Sequence, residues 1–171
     1  MENLADGNAG TLHTLHVMAG LCRRDSRSHF VKTFLQSQLQ LHSHPSRSQP
    51  LGQSIETAFL YARDRIRFKD DPINIERVAD FQRTTECGYG DCDDKVTWLG
   101  TALLSLGVSV RFRCQSYTGE TWDHVYLEFY DFGPWSWIPA DPTADGHTGL
   151  IAPIGWRQTI GPIGRELIYP I

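Results

Sequence analysis

No run of basic residues, no long apolar stretch and no CxxC pair occurs in this chain. Lysine and arginine number 16 against 20 aspartates and glutamates, for a formal net charge of −4. A nucleic-acid binder carries a basic stripe or face, and none is readable, so nucleic acid is excluded as an expected partner. No window approaches the ~18 consecutive apolar residues of a membrane span, so no membrane partner is expected either. The first ten residues, MENLADGNAG, lack the basic start of a secretory signal, and His13 and His16 interrupt the apolar segment that follows. The expected location is therefore cytoplasmic. Four cysteines in 171 residues are too few for a disulfide scaffold. The spacing of Cys87 and Cys92 does not suit a zinc knuckle. The acidic run at 91–94 lacks the glycine and terminal glutamate of a calcium loop.

What is present suits one compact domain. Hydrophobic residues make up 40% of the chain, enough for a core. Residues 11–40 read as two helices broken at 23–28. Leu12, Leu15, Met18 and Leu21 recur in the first, and Phe30, Val31, Phe34, Leu35 and Leu39 in the second. HSHPSRSQPLGQS (42–54) reads as a loop, IETAFLYARDRIRF (55–68) as an amphipathic helix stopped by Asp71-Pro72. ERVADFQRTTE (76–86) reads as a short connection. A glycine-rich turn, CGYGDC, leads into a helix over about 92–106, with Gly107 as its terminator. From Val108 the period becomes two. Strands are expected near 108–114, 123–130 and 135–141, with Gly133-Pro134 turning the last pair. Helices followed by an antiparallel meander describe an α+β domain. The expected units are an N-terminal helical extension (1–45), a core (53–145) and a Gly/Pro-rich C-terminal arm (146–171). That arm contains IAPIG and IGPIG nine residues apart and is a candidate surface for self-association or a protein partner.

Cys92 stands at the start of the 92–106 helix, where the macrodipole favours a thiolate and the backbone N–H is one of the helix's orphan donors. His124 begins one strand and Asp141 ends the next. Hairpin neighbours of that kind bring the two side by side, where a carboxylate orients an imidazole. A lone cysteine at a helix start is more often a small buried residue, and a lone histidine on a strand is more often structural. The three together outweigh that bland reading. Asp91, Asp93 and Asp94 suit the helix start but oppose the dipole by raising the thiol's pKa. Gln82 and Tyr89 are candidates for a second oxyanion donor on proximity alone, and Trp122 for a substrate-groove wall.

GYGDCDD (88–94), DHVYLEFY (123–130) and WIPADPT (137–143) resemble the three signature blocks of the transglutaminase-like superfamily, and more narrowly its bacterial and bacteriophage cysteine-peptidase-like branch. The resemblance runs from about 55 to 143. It implies a papain-like core with the cysteine helix packed on a small antiparallel sheet, and Cys92, His124 and Asp141 as a catalytic triad. It implies acyl transfer through a thiol nucleophile with no metal or organic cofactor, and a peptide or other amide as substrate. Animal transglutaminases usually carry an aromatic residue after the cysteine, whereas Asp93 stands here, so hydrolysis is expected rather than cross-linking. The alternative from a different class is a catalytically silent structural or adaptor protein, as in a phage virion.

Overall fold

The computed structural model describes residues 7–42, 51–72, 77–116, 122, 124–131, 135–143 and 165–171. Most of the 42–54 loop, the Gly133-Pro134 turn and the IAPIG and IGPIG repeat lie outside the described residues.

Among the described residues, five helices precede and flank a small antiparallel sheet. Helix α1 spans Gly7–Asp25 and α2 spans His29–Gln38, with Ser28 as N-cap of α2 accepting from Val31 N–H. The buried stripe of α1 is Leu15, Met18, Ala19 and Cys22, while Leu12 is exposed. Three-residue steps drift about 60° per step around a helix, so Leu12 and Leu21 fall on opposite sides. Helix α3 (Leu51–Asp64) starts and ends earlier than the periodicity predicts. Its expected last turn is instead strand β1 (Arg67–Phe68), paired in parallel with β2 (Tyr89–Gly90). Arg67 N–H donates to Gly88 and Lys69 N–H to Gly90, so a long-range backbone ladder overrides the local helical pattern.

Helix α4 (Phe81–Cys87) is capped at one end by Asp80 and closed at the other by Gly88 at φ +67°, a left-handed position suited to glycine. Helix α5 (Cys92–Ser105) is the central element. Trp98, fully buried, stacks between Phe81 at 4.7 Å and Tyr61 at 5.0 Å, and its indole N–H donates to Thr85. A Cβ at Gly100 would lie 3.2 Å from both Cys22 Sγ and Leu127 Cδ1, so α1 and the sheet close tightly on α5 from two sides.

The sheet runs β5-β4-β3-β6, all antiparallel: β3 Val110–Ser116, β4 His124–Asp131, β5 Ser136–Ala140 and β6 Arg165–Pro170. Three of these strands match the alternating pattern. The fourth comes from the C-terminal segment, whose last residues pair with β3 along its free edge. Val125, Leu127 and Phe129 face the core with Val110, Phe112 and Cys114. The other face is also covered. Glu128 is buried between Arg111 at 2.6 Å and Arg113 at 2.9 Å, and the Arg111 guanidinium lies 4.2 Å over Trp137. Among the described residues, no helix is long and apolar enough to cross a membrane.

Candidate active site

Asp91 caps α5, its carboxylate accepting from Asp94 N–H at 3.2 Å. Asp94 in turn accepts from Ala79 N–H at 2.6 Å. These bonds fix the first turn and thereby the half-buried Cys92. Gly90 is required by crowding, since a Cβ there would meet Asp94 Cβ at 2.4 Å. The thiol donates to Asp93 Oδ1 at 3.6 Å and receives the Val125 backbone N–H. Burial pushes the Cys92 thiol well above its ordinary pKa, and the Asp93 and Asp91 carboxylates push the same way. The Val125 N–H opposes them without prevailing.

His124 opens β4, directly opposite Gln115 on β3. Its Nε2 donates to Asp141 Oδ2 at 2.7 Å. Asp141 follows the last paired residue of β5, Ala140, which stands opposite Leu127, so the contact is diagonal across the ladder. The other Asp141 oxygen accepts from Thr143 N–H at 2.9 Å and from the Thr143 hydroxyl at 2.6 Å. Burial alone would raise the Asp141 carboxyl. The His124 bond and charge and the two Thr143 donors outweigh it and hold the carboxyl below the usual range. With Nε2 committed to Asp141, Nδ1 is the ring nitrogen left for a thiol proton.

Cys92 and His124 line one cavity of about 300 Å³, together with Trp122, Asp70, Asp91 and Asp93. The α1 residues Thr11, Thr14 and Leu15 form part of its wall. Trp122 is thus placed at the cavity. Gln82 and Tyr89 are not. The Gln82 amide donates to Glu86 one turn along the exposed side of α4, and the Tyr89 ring lies under the Lys69 ammonium at 4.2 Å. Thr143 takes a part that the sequence reading did not assign, and Asp93, read there only as a nearby charge, also accepts from the thiol. A threonine two residues past an aspartate is a local turn signal that would have found Thr143. Nothing local marks Thr11, Thr14 or Asp70 as cavity residues.

The family model described as the transglutaminase-like superfamily matches residues 42–142. No curated protein matches the chain in sequence. Among solved structures, a Parabacteroides distasonis protein proposed to be a protease matches with a TM-score of 0.51 at 15% identity, over 70% of this chain and 25% of that one. A chain of the Rad4/XPC nucleotide excision repair complex, studied for DNA duplex opening, matches with a TM-score of 0.50 at 15% identity, over 89% of this chain and 41% of that one. At such identities the likeness is one of fold. This chain spans well under half the length of either neighbour.

Proposed function

Because the chain belongs to the transglutaminase-like superfamily, we propose that it is a cysteine hydrolase of peptide or other amide bonds, with Cys92, His124 and Asp141 as its triad. The observation that carries this reading is that His124, bound to Asp141 at 2.7 Å, lines the same cavity as Cys92. Asp141 fixes the imidazole so that Nδ1 can take the thiol proton. The thiolate attacks the amide carbonyl, and the Cys92 N–H at the head of α5 helps hold the developing oxyanion. His124 returns the proton to the leaving amine. Water, activated by the same imidazole, then releases the acid from the thioester.

The test is iodoacetamide labelling resolved residue by residue across pH, on the wild type and on His124→Ala. Cys92 is expected to label faster than the buried Cys22, whose thiol is pushed up to about 12. In His124→Ala the rate should fall at least about tenfold. A second reading, a silent adaptor, is favoured by one observation: burial, Asp93 and Asp91 all hold the Cys92 thiol protonated. Identical, slow Cys92 labelling in both proteins would support the adaptor and remove the hydrolase.

A further inference from the structure

Apart from His124, the charged side chains among the described residues lining the cavity over Cys92 are all carboxylates. Asp70, Asp91 and Asp93 all line it, and no lysine or arginine does among the described lining residues. The neighbouring cations are engaged elsewhere. Lys69 sits over the Tyr89 ring, the Lys95 ammonium donates to the Arg63 carbonyl at 3.2 Å, and Arg113 is paired with Glu128. Independently, the cavity holds two aromatic side chains, Trp122 and Phe68, the latter half exposed. Aromatic faces attract ammonium and guanidinium groups through their quadrupole. Carboxylates and aromatic faces together are the chemistry that recognises a cation.

We propose that this cavity admits a positively charged group of the substrate, an ammonium or guanidinium beside the scissile amide, seated by Asp70, Asp91 and Asp93 against Trp122 and Phe68. The proposal names the substrate class for the reaction given above, and so rests on Cys92 being the nucleophile. It also resolves a tension within that reaction. The same carboxylates that keep the empty site's thiol protonated are offset when a cation enters, so the correct substrate helps to generate its own nucleophile. A neutral or acidic substrate would leave the thiol protonated, which makes the charge a device of specificity as well as of binding.

The experiment measures Cys92 modification by three methanethiosulfonates of similar size: trimethylammonium-ethyl, ethyl and sulfonato-ethyl. Each rate is divided by that reagent's rate with 2-mercaptoethanol. The normalised cationic-to-anionic ratio is expected to be about tenfold or more, the scale of focusing in a charged cleft. It should shrink toward one at ~1 M salt and fall in Asp70→Asn, an exposed position. A wild-type ratio of one or below overturns the proposal. The salt titration on wild type decides the matter should the variant fail to fold.

A ratio near one with His124-dependent labelling sinks the cation site and keeps the triad. A high ratio with labelling indifferent to His124→Ala keeps the cation site and sinks the triad. Protection against the neutral reagent then separates the sources. Protection by Nα-acetyl-lysine amide points to a side-chain cation, and by norleucine amide with its free α-amine to a chain terminus. Equal protection by Nα-acetyl-norleucine amide, which has no charge, overturns the cation site.

Discussion

Asp141 is held from two directions, by the imidazole of His124 and by the backbone and hydroxyl of Thr143. Its folded pKa lies below the unfolded carboxylate value of ~3.9. Its contribution to stability is therefore fully present above about pH 4 and is lost as pH falls through the lower folded value. Asp141→Asn should flatten the acid limb of stability, read as urea midpoints from about pH 2 to 7. It should cost about 1–3 kcal/mol at neutral pH. An unchanged acid limb would mean that the carboxylate is not engaged as the 2.7 Å contact implies. The residue types of this pair were legible in DHVYLEFY and WIPADPT, because a hairpin places the start of one strand beside the end of the next. The state of the thiol was only half legible. The sequence shows three aspartates beside Cys92, but their direction depends on packing. Asp94 turns to Ala79 N–H, Asp91 caps the helix, and Asp93 meets the sulfur.

At the scale of elements, the start of α5 depends on the two glycines before it in different ways. Gly88 has φ +67° with open space around its Cα, so Gly88→Ala is strained by backbone conformation alone and should cost about 1 kcal/mol. Gly90 has no such backbone demand, but its missing Cβ leaves room for Asp94. Gly90→Ala should cost about 1–3 kcal/mol as an overpacked site and shift Cys92 with the first turn of α5. Chemical denaturation reads the stabilities. Iodoacetamide labelling separates the two variants, since only Gly90→Ala is expected to change the Cys92 rate markedly. Equal rates in both would mean that the first turn is not held by this contact. The end of α3 and the presence of β1 were illegible for a related reason. Arg67 and Phe68 continue an amphipathic period, yet they pair with residues twenty-two further on, and the Arg67 and Lys69 N–H groups donate to Gly88 and Gly90. Periodicity cannot report a partner that far away.

Across the whole molecule, one apolar cluster joins α1, α2 and α3 to α5 and the sheet. Cys22, within α1, donates its S–H to the Thr97 carbonyl of α5 at 3.3 Å, and burial pushes its thiol up to about 12. Met18 is fully buried in the same seam. Met18→Ala should therefore cost about 2–5 kcal/mol of global stability, although α1 lies outside the matched 42–142 segment. A loss below about 0.5 kcal/mol in a denaturant titration would show α1 to be a loosely attached helix. The sequence by itself determined the α+β class, the helix that presents Cys92, and the strands that carry His124 toward Asp141. Those features follow from local periods and turn chemistry, which act over a few residues. Tertiary structure alone decided that α1 walls the cavity, that a C-terminal strand completes the sheet, and that the thiol sits buried among carboxylates. Each of these depends on distances between segments far apart in the chain and on the water that their packing excludes, and no local pattern encodes either.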